Sequence, residues 1–273
     1  MVKLTGTLVL VGAGKMGGAM LEGWLAGGAD PTKIVALDPA PPPEMKQLIE
    51  RHGIRLNPEI ATIKDAEVVV IAVKPQLMEE VLPKVAPLKA SKPLVLTVAA
   101  GKTIASYERH FGADAAVIRT IPNTPAAVGR GITAMAANPH VTPAQLEMAR
   151  KLLEAVGEVV TVDNEAMIDA VTAVSGSGPA YVFYLTECLA AAGEKIGLPR
   201  ELAVQLARAT VAGAGELMRQ SGTDAAVLRQ NVTSPKGTTY EALQVLMDPG
   251  SGMGPLFEKA VAAALRRSRE LAS

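Results

Sequence analysis

Six residues near the start of the chain, Gly12-Ala13-Gly14-Lys15-Met16-Gly17, carry the spacing G-x-G-x-x-G. Glycine at each place does a separate job. Gly12 permits a tight turn, Gly14 lets backbone approach a pyrophosphate, and Gly17 lets a helix pack closely on the strand before it. The N–H groups and dipole of that helix start then hold the phosphates. Alone the pattern is weak, and an ordinary strand–turn–helix is the plain alternative. Here it follows an apolar run over 7–11 and opens a helical pattern, the context that gives it meaning. An acidic residue ~20 positions further on holds the ribose of such a dinucleotide. Asp38 stands 21 residues after Gly17, closing the run Lys33-Ile34-Val35-Ala36-Leu37. A carboxylate there accepts from a free 2′-hydroxyl and repels a 2′-phosphate, which favours NAD over NADP. The alternative is that Asp38 only starts the turn before Pro39 and the prolines at 41–43.

Further candidates end later apolar runs. Ala72-Val73-Lys74-Pro75 closes the third predicted strand, at the edge where open α/β sheets bind ligands. Lys74 either reaches a cofactor phosphate or ribose, or is a solvated cation at a strand end. Ala99-Ala100-Gly101 and Pro122-Asn123-Thr124-Pro125 end the fourth and fifth on the same edge. Their small and proline-rich residues would let a nicotinamide ring lie against backbone.

A nicotinamide enzyme also needs a substrate pocket, and one acting on a carbonyl needs a proton donor. The 3-hydroxyacid dehydrogenases place a lysine in G-x-x-G-x-x-x-K. The comparable stretch here, Ser175-Gly176-Ser177-Gly178-Pro179-Ala180, runs on into Tyr181, Val182 and Phe183, and the next lysine is Lys195. No histidine follows His140. An iminium carbon is electrophilic without such a donor, so an imine reductase works by positioning and modest hydrogen bonding. Asn231-Val232-Thr233-Ser234-Pro235-Lys236-Gly237-Thr238-Thr239-Tyr240-Glu241 offers the positioning segment. Thr238 followed by Glu241 reads as a capping box. A Gly-Thr-Thr helix start presents N–H groups and hydroxyls to a substrate carboxylate. The bland alternative is a well-capped helix and nothing more.

The elements that must position these residues follow from periodicity. Near-continuous apolar runs over 7–11, 33–37, 68–73, 94–99 and 116–121 read as parallel strands buried on both faces. Helical patterns over 16–26, 43–52, 75–85 and 103–110 alternate with them, so residues 1–162 form a doubly wound α/β dinucleotide-binding domain. Runs at 132–136 and 159–162, flanking a helix over 142–156, extend the sheet. From 163 to 273 the strand alternation stops. Helices over 182–219, interrupted by Gly197-Leu198-Pro199, then 239–247 and 255–271 make a helical second domain. Its small-residue surfaces, Ala190-Ala191-Ala192-Gly193 and Val211-Ala212-Gly213-Ala214-Gly215, let helices approach closely, in an internal bundle or at a subunit interface. With so few bulky side chains to fill a core, oligomerisation is favoured.

Composition excludes other classes. The 273 residues are 49% hydrophobic, and 27 Lys+Arg balance 27 Asp+Glu, so no footprint for nucleic acid or an anionic membrane exists. No run approaches the ~18 apolar residues of a membrane span, and no signal peptide is seen, which points to the cytoplasm. One cysteine, Cys188, excludes intrachain disulfides and cysteine-built metal sites, and three scattered histidines leave little room for a histidine metal cluster.

Gly12–Gly17, Ala72–Pro75, Asn123–Pro125, Ser175–Ala180 and Asn231–Thr239 together, in this order over almost the whole chain, resemble 1-pyrroline-5-carboxylate reductase. The resemblance implies a Rossmann domain with an all-helical dimerisation domain. It implies reduction of 1-pyrroline-5-carboxylate to L-proline by NADPH or NADH, the last step of proline synthesis, without a metal. Another two-domain NAD(P)-dependent reductase of a cyclic imino, hydroxy or keto acid is the alternative. It further implies a homodimer whose partner completes each site, with higher assembly such as a decamer. By position, Thr239 hydrogen-bonds the ring nitrogen. Gly237 and Thr238 hold the substrate carboxylate, Ser234 shapes that loop, and Glu165 lies near bound proline. Asn231 and Asn123 join Gly12, Ala13, Gly14, Lys15, Met16, Gly17, Asp38, Ala72–Pro75 and Ala99–Gly101 as cofactor contacts. Asp38 departs from the family, which usually favours NADPH, and leads us to expect NADH to be used at least as well.

Overall fold

The computed structural model describes residues 4–99 and 101–272; Ala100 lies outside the described residues. Two compact units are present, 1–176 with 265–273, and 177–264.

The first unit is built on an eight-stranded sheet. Its strands are β1 (Thr7–Val11), β2 (Ile34–Leu37), β3 (Arg55–Leu56), β4 (Ala66–Ile71), β5 (Leu94–Thr97), β6 (Val117–Ile121), β7 (Gly131–Ala137) and β8 (Gly157–Thr161). The order is β3-β2-β1-β4-β5-β6-β7-β8. From β3 to β6 neighbours run parallel, β7 turns back antiparallel to β6, and β8 runs parallel to β7. The change of direction on either side of β1 is the switch point at which such sheets bind nucleotides.

Alternation along each strand explains the two layers. Leu8 and Leu10 of β1 join a core with Met20, Leu21 and Trp24 of α1 (Lys15–Ala26), Met45 and Ile49 of α2 (Pro43–Arg51), and Leu152 of α5 (Pro143–Glu154). Val9 and Val11 join the opposite core, with Met78 and Leu82 of α3 (Met78–Val85) and Tyr107 and Phe111 of α4 (Ile104–Phe111). The strands expected over 68–73 and 94–99 end earlier, at Ile71 and Thr97. Ala72 donates to Val11 at 2.8 Å as the last rung, and beyond it the chain leaves to pass the glycine turn. The helix expected from residue 75 opens as a 3₁₀ turn, Pro75–Leu77, before α3. A short helix, α6 (Met167–Val171), and a π turn over Thr172–Gly176 close the unit, with Ile168 packed on Ile121 and Ala134.

The second unit is helical: α7 (Gly178–Lys195), α8 (Arg200–Ser221), α9 (Ala225–Asn231), α10 (Thr238–Leu246) and most of α11 (Met253–Ala272). Gly197, at φ +103°, makes the turn between α7 and α8. A Cβ on Gly193 would lie 3.2 Å from that of Ala203, so the two helices meet across small residues. Among the described residues of this unit the buried hydrophobic side chains are Ala190, Ala203 and Ala207, while Phe183, Tyr184, Leu189, Leu206 and Leu217 stay exposed.

Candidate active site

The glycine turn joins β1 to α1. Gly12 takes φ +92°, a left-handed conformation that costs other residues strain, and its N–H donates to Leu37 at 2.9 Å. A Cβ on Gly17 would collide with the Gly12 carbonyl, and one on Gly12 would sit 2.8 Å from Val73 Cγ1. Both glycines are thus required by the chain's own packing. Gly14 differs: beyond its two chain neighbours, no atom of another residue lies within 4 Å of where its Cβ would be. It is the N-cap of α1 with no side-chain cap, so the first-turn N–H groups have no protein side chain to satisfy them. An open surface beside uncapped donors fits a pyrophosphate. Lys15 is exposed and Met16 half-buried beside it.

Asp38 follows the last residue of β2 and closes on this turn. Its Oδ2 accepts the Ala13 N–H at 2.7 Å, and its Oδ1 accepts the Ala40 N–H at 2.9 Å. Asn57 Oδ1 accepts the Asp38 N–H at 2.8 Å. The carboxylate therefore starts the following turn and also braces the glycine loop, with lone pairs remaining for a ribose. Ala72 and Val73 lie against Gly12. Lys74 is exposed, extended, and outside any ion pair among the described residues. Ala99 is buried, its N–H 3.3 Å from Thr97 Oγ1, and Gly101 takes φ +75°. Asn123 is committed to the scaffold at both ends of its amide: Nδ2 donates to Ser175 at 3.2 Å and Oδ1 accepts from Ile132 at 2.9 Å.

Glu165 belongs to this first unit. Its Oε1 accepts from Arg119 Nη1 at 2.8 Å and from the Ile104 N–H at 2.8 Å. Arg119 Nη2 lies 3.7 Å from Asp169 Oδ1. Nearby, Tyr107 is fully buried with its hydroxyl 2.6 Å from Thr97 Oγ1. Burial pushes its phenol up to about 12, against a smaller opposing pull from that hydrogen bond. Neither Arg119 nor Tyr107 stands out in the sequence as a site residue. The available signal is the charge itself: an arginine inside the apolar run Val117-Ile118-Arg119-Thr120-Ile121 must find a partner when buried.

In the second unit Asn231 ends α9, exposed. Ser234 to Gly237 form a turn in which the Gly237 N–H donates to the Ser234 carbonyl at 3.0 Å and Lys236 takes φ +58°. The capping box expected at Thr238 and Glu241 is not formed. Gly237 is the N-cap, without a side-chain cap, and Thr238 stands one position inside the helix. The reason is the turn: Gly237 already holds extended backbone, φ −83° and ψ 172°, and its carbonyl accepts the Glu241 N–H at 3.2 Å. The first-turn N–H groups are left without a side-chain cap, beside an exposed Thr238 and a half-buried Thr239.

Residues 165–271 match the family model described as pyrroline-5-carboxylate reductase dimerisation, and residues 7–101 match one described as NADP oxidoreductase, coenzyme F420-dependent. A pyrroline-5-carboxylate reductase of Pseudomonas aeruginosa is 41% identical over 268 residues, 98% of this chain and 97% of the relative. The chain belongs to the pyrroline-5-carboxylate reductase family. Among solved structures, a pyrroline-5-carboxylate reductase from Coxiella burnetii superposes with a TM-score of 0.91 at 34% identity, covering 99% of this chain and 100% of that one. A pyrroline carboxylate reductase from Plasmodium falciparum with NADP bound gives 0.81 at 26% identity, covering 98% and 99%. Rossmann-like sheet and helical second region are those of this reductase family. No helix among the described residues is long and apolar enough to cross a membrane.

Proposed function

We propose that this chain reduces 1-pyrroline-5-carboxylate to L-proline, the last step of proline synthesis, using NADPH or NADH and no metal. The observation that carries the reading is the near full-length relation to reductases of that name. The glycine turn and the uncapped α10 start support it as separate binding elements. Gly12–Gly17 and the α1 N-terminus hold the pyrophosphate, and Asp38 accepts from the adenosine ribose. Ala72–Pro75, Ala99–Gly101, Asn123 and Asn231 border the rest of the cofactor. When bound, the cofactor supplies a hydride to the imine carbon. The N–H groups of Gly237 and Thr238 hold the substrate carboxylate, with Ser234 shaping the turn. The Thr239 hydroxyl hydrogen-bonds the ring nitrogen and so fixes which carbon faces the nicotinamide edge.

The exposed apolar side chains of α7 and α8 support a homodimer; a cytoplasmic location and a decamer as the higher assembly are part of the same proposal. Light scattering on the purified protein reads this directly.

The deciding experiment mixes purified protein with 1-pyrroline-5-carboxylate and follows loss of reduced-nicotinamide absorbance, with NADPH and with NADH, before and after chelator treatment. Oxidation unaffected by the chelator is expected. Protein that binds cofactor yet oxidises none would overturn the substrate assignment.

A further inference from the structure

Arg119 sits in the middle of β6 and is 3% exposed, among Val117, Ile118 and Ile121. A buried guanidinium stabilises little that well-packed apolar side chains would not. Its own pairing is incomplete, because Nε is buried with no hydrogen-bond partner among the described residues. What the charge does is gather two carboxylates. Glu165 and Asp169 stand one helical turn apart on the segment that opens α6, so both reach the same guanidinium.

Each carboxylate then holds a second element. Glu165 Oε1 accepts the N–H of Ile104, the first residue of α4, whose N-cap Thr103 makes no side-chain cap of its own. Asp169 Oδ1 accepts from Ser268 Oγ at 2.8 Å, near the end of α11. The same end of α11 approaches the loop directly: a Cβ on Gly101 would lie 3.4 Å from the Leu271 carbonyl oxygen. Residues 101–104 are therefore fixed through Glu165 and through the last turns of α11. They form the exit of β5, at the sheet edge assigned above to the nicotinamide half of the cofactor.

We infer that Arg119 is a positioning residue for the reductase reaction. It orients Glu165 and Asp169 so that they hold residues 101–104 and the end of α11 at the cofactor edge. Glu165 thereby acts through the loop rather than by touching substrate. The inference rests on the dinucleotide reading of that edge.

The test uses the full-length protein with Arg119→Lys, Glu165→Gln, the double variant and Ser268→Ala. Reduced-dinucleotide binding is titrated by fluorescence without imine, KM and kcat are measured for both reactants, and folding is followed by thermal melts. Arg119→Lys and Glu165→Gln should each weaken dinucleotide binding about tenfold, with the double no worse than the weaker single. The KM for imine should stay within about twofold. Ser268→Ala, the mildest change, should weaken dinucleotide binding about two- to threefold without lowering the melting temperature. A rise in imine KM for Glu165→Gln with none for Arg119→Lys would mean direct ligand contact and overturn the inference. Lower melting temperatures with wild-type binding and kinetics would overturn it as well, leaving a scaffold role. Wild-type protein that binds no dinucleotide would remove the edge assignment and this inference together; wild-type binding with unchanged variants removes this inference alone.

Discussion

Asp38 Oδ2 accepts the backbone N–H of Ala13 at 2.7 Å, so the carboxylate that follows β2 also braces the second residue of the glycine turn. Cofactor choice and loop geometry are thus joined in one side chain. The negative charge opposes a 2′-phosphate, and NADH should be used at least as well as NADPH. Asp38→Asn keeps an acceptor oxygen but removes the charge. It should raise the NADPH-to-NADH ratio of kcat/KM by about tenfold, the equivalent of ~1.4 kcal/mol. A strong NADPH preference in the unaltered protein would sink this reading of Asp38.

Gly14 and Gly17 should answer differently to the same substitution. A Cβ on Gly17 collides with the Gly12 carbonyl, so Gly17→Ala should lower stability by about 1–3 kcal/mol or displace α1. Gly14 has φ −73° and open space, so Gly14→Ala should fold as the parent does, within about 0.5 kcal/mol. Its methyl group would stand where backbone meets the pyrophosphate, and dinucleotide KM should rise at least about tenfold. Chemical denaturation and initial rates on the two variants make the comparison. Equal loss of stability in both would contradict the packing argument.

Thr239→Ala should lower kcat by roughly tenfold to a hundredfold with folding and dinucleotide affinity retained, as expected for one lost hydrogen bond of about 1–3 kcal/mol. Thr238→Ala tests the position of the cap. Because Gly237 is the N-cap, removing the Thr238 hydroxyl should cost under about 0.5 kcal/mol, whereas a true N-cap threonine would cost about 1 kcal/mol. Unchanged turnover in Thr239→Ala would show that its hydroxyl takes no part.

The parallel strands and the glycine turn are legible because their signals are local. Leu8–Val11 is an unbroken apolar run, and each glycine's role follows from its place in the motif. What escapes depends on contacts far apart in the chain or on one-residue shifts of backbone. Strand β3 is two residues long, too short for any periodicity. Thr238 with Glu241 has the composition of a capping box, yet the box that forms is Thr142 with Gln145, both halves present. Arg119 meets Glu165 and Asp169 only because β6 and α6 pack together, and nothing within a window of neighbours announces that pairing.

Tyr107 should make the protein sensitive to alkali. Its phenol is pushed up to about 12 by burial, against an ordinary value of 10.0 in the unfolded chain. Below pH 10 both states keep the proton and its contribution to stability is complete. Between pH 10 and 12 the unfolded chain releases the proton while the folded protein holds it, so stability falls as pH rises. Two units of separation correspond to at most roughly 2–3 kcal/mol by pH 12. Tyr107→Phe deletes this titration and the hydrogen bond to Thr97, at a cost of about 1 kcal/mol near pH 8. Urea unfolding of both proteins at pH 8, 9.5 and 11 should show the parent losing its advantage as pH rises. A constant difference across that range would mean that the buried phenol is not the group responsible.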